Sequence, residues 1–136
     1  MPISATVRDV TTRKLVSVDE NDAVYDAVVL MTTEDIGAII VTSVRKPVGI
    51  LTERDLMKKV LLEGLDPKNT KVGEVMSAPL ITIGSDASLG EATQLMQLRK
   101  IRRLLVEEKG RIVGIITQRD LERGTLEYFS ALTGMT

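Results

Sequence analysis

The sequence predicts an α/β (α+β) fold made of two β-α-β-β-α repeats, packed through their sheets about a pseudo-two-fold axis. Three observations carry that prediction: an ungapped internal repeat, one order of hydrophobic patterns in both copies, and the shortness of each copy. Adding 65 to residue numbers 7–56 lays the first half over the second, and fifteen of those fifty pairs are identical. Val7 meets Val72, Val10 meets Val75, and Leu15 meets Leu80. Ala27, Leu30, Met31 and Ile36 meet Ala92, Leu95, Met96 and Ile101. A fixed offset of this length marks a duplicated structural unit. A copy of roughly 50–60 residues buries too little of its surface to be more than marginally stable. Two copies with apolar sheet faces bury them best against each other, so part of the core is expected between repeats.

The elements follow in the same order in each copy. Val7–Val10 and Val72–Met76 read as short lead-in turns, and Leu15–Val18 and Leu80–Ile83 as brief extended segments. An amphipathic helix comes next, Ala23–Thr33 or Leu89–Lys100, with Val24, Ala27, Val28 and Met31 at helical spacing. Asp22 and Ser88 stand at the N-cap positions, and Ser88 with Glu91 spells a capping box. Two pairs of β-branched or apolar runs follow, Ala38–Thr42 with Val48–Thr52 and Arg103–Glu107 with Arg111–Thr117. The turn-like connectors Ser43–Pro47 and Glu108–Gly110 make each pair a hairpin. A second helix starts at Glu53 or Gln118. This divides the chain into a first motif at 7–63, a linker at 64–71 with Asp66-Pro67 as breaker, and a second motif at 72–128.

Composition removes several function classes. The chain has 136 residues, 43% apolar and 27% charged, with a net charge of −1, so it is globular and carries no overall attraction to nucleic acid or anionic membrane. Tyr25, Tyr128 and Phe129 are the whole aromatic set, too few to stack the bases of a single strand. The absence of Cys excludes disulfides and zinc–thiolate sites. The absence of His removes the usual general base near neutral pH and the commonest metal ligand. No apolar run approaches the roughly 18 residues that cross a bilayer, and the N-terminus lacks the charge-then-apolar order of a secretion signal. The expectation is a cytoplasmic protein with no DNA, membrane or metal partner.

The best-preserved stretch is G-I-L/I-T-x-R-D-L, at Gly49–Leu56 and again at Gly114–Leu121. A strand ends in Thr and a helix begins there, with Asp three residues on. Two readings fit. In one, the helix N-terminus and its dipole suit a phosphate, the Thr hydroxyl donates to it, and the Asp carboxylate accepts from both hydroxyls of a ribose. Arg54 and Arg119 add a permanent cation at the same spot. In the other, T-x-x-D is a capping box and needs no ligand. Gly49 and Gly114 then serve only close packing. The two readings are compatible, because a cap residue can also face a cleft.

These twin segments, at the end of repeats of this length and order, resemble the CBS motif named after cystathionine β-synthase. The V-x-x-V/M lead-in and I-R-R-L-L-V at Ile101–Val106 add to the resemblance, which covers about Val7 to Glu127. It implies a Bateman module with two clefts that bind AMP, ADP, ATP or S-adenosylmethionine as ligand, with no cofactor acting as catalyst. Carried over residue by residue, the first cleft takes Ile50, Thr52, Arg54 and Asp55, with Ala78, Pro79, Leu80, Ile101 and Arg103 from repeat two. The second takes Ile115, Thr117, Arg119 and Asp120, and meets Arg13, Lys14, Leu15 and Ala38. Early-strand backbone groups would read the adenine edge, while Ile50 or Ile115 would pack on its face. The resemblance also implies a homodimer through the motif helices, consistent with the apolar Met57, Val60, Leu61 and Leu62.

The copies differ where the clefts would be. Arg102 and Arg103 correspond to Gly37 and Ala38, and Arg13 and Lys14 correspond to Ala78 and Pro79, so equivalent clefts are not expected. Arg102 and Arg103 also fit a plain solvated face with Arg99 and Lys100. Met31, Met57, Met76 and Met96 fall at core-like spacing and are expected to fill packing gaps. The resulting expectation is a stand-alone regulatory module acting on a separately encoded partner. Two competitors stay open: an enzyme using Asp55 and Asp120 as acids, and an assembly module with vestigial clefts. Against the enzyme, the chain has no His, no Cys and no G-x-S-x-G elbow.

Overall fold

Two tight turns organise the sheets. Val44 and Arg45 both have positive φ (50° and 66°), and so do Lys109 and Gly110 (50° and 78°). Two central residues of this hand match the twist of an antiparallel hairpin. They join β2 (Ala38–Ser43) to β3 (Lys46–Thr52) and β5 (Arg103–Glu108) to β6 (Arg111–Thr117). Parallel to β2 runs β1 (Ser17–Asp19), and parallel to β5 runs β4 (Thr82–Gly84), giving two three-stranded sheets. Helices α2 (Val24–Glu34) and α5 (Leu89–Arg99) make the crossovers. After β3 comes the short α3 (Glu53–Asp55), continued as a π-helix over Leu56–Leu61. After β6 comes a regular helix, α6 (Gln118–Thr133). The lead-ins expected as turns are one-turn helices, α1 (Val7–Val10) and α4 (Val72–Val75).

The computed structural model describes residues 6–134, and they form two units whose boundaries are not those of the repeats. Val16–Leu80 is one unit; of the described residues, 6–15 join 81–134 in the other. Each repeat therefore lends its lead-in to the other's core. Val72 and Val75 of α4 are buried with Val24, Ala27, Ile39 and Leu51 of the first repeat. Val7 and Val10 of α1 are buried with Leu89, Ala92, Leu104 and Ile116 of the second.

Three local expectations are corrected. The N-cap of α2 is Ala23, not Asp22. The Asp22 carboxylate instead accepts from the Asp19 N–H (3.0 Å), while the first N–H groups of α2 donate to linker carbonyls, Val24 to Thr70 and Tyr25 to Pro67. The cap is thus tertiary, and the 64–71 linker is bound to the first-repeat unit. At α5, Ser88 caps the Glu91 N–H as expected (3.0 Å), but only that half of the box forms. Met57 points outward and is 55% exposed, while Met31 and Met96 are buried.

Candidate functional site

The T-x-x-D segments form the same cap twice. Asp55 N–H donates to the Thr52 hydroxyl (3.2 Å) and Thr52 N–H donates to Asp55 Oδ2 (3.0 Å). In the other copy Asp120 N–H donates to the Thr117 hydroxyl (3.1 Å) and Thr117 N–H to Asp120 Oδ2 (2.9 Å). The next amide donates to the residue before the central strand, Glu53 N–H to Gly37 O and Gln118 N–H to Arg102 O. Of the four free N–H groups at a helix start, the cap uses three and leaves that of Arg54 or Arg119. An anion at either helix start would therefore meet one backbone donor and one Arg side chain. Both aspartates are buried, although the two residues between each Thr and its Asp are exposed.

Glycine admits the lead-in to each cap. A Cβ on Gly49 would stand 2.5 Å from Met76 Sδ and 2.9 Å from Ser77 O. One on Gly114 would stand 2.2 Å from Thr11 Cγ2 and 2.6 Å from Thr12 O. With no Cβ in the way, the lead-in pairs with the strand beside the glycine: Ile50 exchanges both backbone hydrogen bonds with Ser77, and Ile115 does so with Thr12.

The structure accordingly gathers two sets of the expected residues. Ile50, Thr52, Arg54 and Asp55 share a unit with Ala78, Pro79 and Leu80, which continue from Ser77 through a cis Ala78–Pro79 bond. Ile115, Thr117, Arg119 and Asp120 share a unit with Arg13, Lys14 and Leu15, which continue from Thr12. The central-strand residues stay with their own repeat: Ala38 is registered against Thr52, and Arg103 against Thr117. Ile101 N–H closes the end of α5 on Met96 O. A shallow hollow beside α4, lined by Glu20, Asn21, Lys71 and Glu74, contains none of these residues.

Three partners of the aspartates were not among the expected residues. Ser77 donates its hydroxyl to Asp55 Oδ1 (2.8 Å), and Lys59 Nζ reaches the same oxygen (3.1 Å). Arg123 reaches Asp120 Oδ1 at 3.3 Å. The two basic residues lie four and three positions along the helix from their aspartates, a spacing legible in the sequence as an ion pair. Ser77 comes from a lead-in distant in sequence, and nothing local marks it. The second-repeat unit carries a further ionic cluster: Arg8 pairs with Asp86 (2.6 Å) and Glu108 (3.2 Å), and Arg13 approaches Glu108 (3.6 Å). The Ser85 hydroxyl, then Arg8, holds the Glu108 carboxyl below the usual range.

Comparison with known proteins agrees with this duplicated architecture. The family described as CBS domain matches residues 7–62 and again 72–125. The CBS domain-containing protein YhcV of Bacillus subtilis is 33% identical over 132 residues, covering 97% of this chain and 94% of its own. Protein MK0525 of Methanopyrus kandleri is 32% identical over 120 residues, covering 87% of this chain, which spans only 61% of that longer relative. Among solved structures, a hexameric CBS-CP12 protein from bloom-forming cyanobacteria superposes with a TM-score of 0.82 at 29% identity, covering 89% of this chain and 68% of its own.

Proposed function

Because the chain belongs to the CBS-domain family, with two copies of that domain in tandem, we propose that it is a regulatory module that senses adenosine-containing ligands and catalyses nothing. The observation that carries the reading is the twin cap: a buried Asp at a helix start, an Arg beside it, and a lead-in strand bridged to the adjoining strand. In this reading the Asp carboxylate accepts from ribose hydroxyls. The Arg and the remaining backbone N–H face phosphate, and backbone groups after Ser77 or Thr12 read the adenine edge. AMP, ADP and ATP fit this set, and S-adenosylmethionine fits its ribose and adenine parts. Mass spectrometry of small molecules released from the purified protein tests the proposal. An adenosine compound near stoichiometric amount is expected; release of a compound with no nucleoside would contradict it.

The competing assembly reading also has an observation behind it. Leu126, Phe129 and Leu132 leave an apolar row exposed on α6, and Leu61 and Leu62 are 73% and 81% exposed at the end of the π-helix. Such residues suit a helix-to-helix contact between two copies, so we read the chain as a homodimer whether or not a ligand is bound. Sedimentation at micromolar concentration is expected to give a dimer, and Leu126→Glu to shift it toward monomer. A native chain that sediments as a monomer would remove this part of the proposal.

A further inference from the structure

The two aspartates that look equivalent in the sequence are not equivalent in the structure. Asp55 spends both oxygens inside the protein. Its Oδ2 takes the Thr52 N–H, and its Oδ1 takes both the Ser77 hydroxyl (2.8 Å) and the Lys59 ammonium (3.1 Å). Lys59 reaches further, to the carbonyls of Val75 (3.2 Å) and Met76 (3.4 Å), which end helix α4. One ammonium thus satisfies a carboxylate and the C-terminus of a helix together. Asp120 has the same cap, but among the described residues its Oδ1 meets only Arg123, an exposed side chain at 3.3 Å. The hydroxyl in the place of Ser77 belongs to Thr12, which is exposed and not hydrogen-bonded to Asp120.

The backbone shows why the copies part. Adding 65 to Lys59 gives Gly124, on whose place α6 lies against its lead-in: a Cβ there would be 2.4 Å from Val10 Cγ1. No side chain fits at that approach. The first repeat carries a long side chain at the same position, and there the helix opens to π geometry, with Leu62 N–H on Met57 O and Leu65 N–H on Val60 O. A wider turn of this kind re-aims the residues it contains. Here it carries Lys59 to the lead-in carbonyls and to Asp55.

We propose that Lys59, Asp55 and Ser77 form a structural clasp that closes the first motif to ribose, so that nucleotide is taken by the Asp120 motif alone. Lys59 is the residue that decides between the motifs, acting through Asp55. The second half of this inference rests on the adenosine-binding reading above; the clasp itself does not. Two measurements separate them. A double-mutant cycle of Asp55→Asn and Lys59→Met, read by melting temperature without any nucleotide, is expected to be strongly non-additive, since each change leaves the other's partner behind. Additive losses would overturn the clasp. Calorimetry with AMP and with ATP is expected to give one binding event per chain, weakened about tenfold or more by Asp120→Asn. Two events per chain in the native protein, or one that Asp120→Asn leaves intact, would overturn the assignment to the second motif. If neither nucleotide binds the native chain, the adenosine reading and that assignment both fall, and the cycle still decides the clasp.

Discussion

Gly114 and Gly90 are both glycines of the second repeat, and they answer to different constraints. Around Gly114 the backbone oxygen of Thr12 leaves no room for a Cβ, whereas the nearest atom to a Cβ on Gly90 is 3.8 Å away. Gly114→Ala is therefore expected to displace the lead-in and cost about 1–3 kcal/mol or more, as overpacked cores do. Gly90→Ala, in the first turn of α5, should stabilise by up to about 1 kcal/mol. Denaturant melts of the two variants check both signs. Glu108 gives a residue-scale prediction in pH. Its folded carboxyl is held low by the Ser85 hydroxyl and Arg8, so its contribution is present above the ordinary glutamate value of about 4.3 and is lost as pH falls through the lower folded value. Glu108→Gln should melt below the native protein at neutral pH, with the gap closing in acid. A gap that does not change with pH would assign the loss to packing instead.

At the scale of elements, the hairpin turns show a sequence working against its own backbone. The β2–β3 turn needs two residues with positive φ and has Val44 and Arg45, where β5–β6 has Lys109 and Gly110. A β-branched residue in this region is strained, and Asn-Gly is the pair that the turn prefers. Val44→Asn with Arg45→Gly is expected to raise stability by about 1 kcal/mol or more, measured by denaturant melts. Val44 is 87% exposed, so the change removes no core contact. Helix starts show the opposite case, in which packing overrides a good local signal. Asp22 is a fitting N-cap by residue type, but Thr70 and Pro67 carbonyls already receive the first N–H groups of α2. Such long-range partners leave no mark at residue 22. The π-helix at Leu56–Leu61 is equally silent in the residues that form it; only comparison of Lys59 with Gly124 hints at it.

For the whole molecule, the duplication was legible to the residue. The first three strands and the crossover helix of one repeat begin and end 65 positions before those of the other, as Ser17–Asp19 and Thr82–Gly84 do. The T-x-x-D caps were legible too, because Thr and Asp at that spacing satisfy each other locally. What the chain's own order hides is the exchange of lead-ins. Val72 and Val75 look like the start of the second motif and yet fill the first core, since burial rewards distant segments as readily as near ones. The same exchange sets Ser77 on Asp55, and Lys59, where the other copy has Gly124, makes the two motifs chemically different. The central claim, that this pair of CBS domains reads adenosine, is tested most directly by melting curves of the native chain with AMP, ATP, S-adenosylmethionine, GMP and UMP. At about 100 times its Kd a ligand stabilises the folded state by about 2.7 kcal/mol. Adenosine compounds are expected to raise the melting temperature and the guanosine and pyrimidine analogues to do so less; equal shifts for every base, or none for any, would contradict the account.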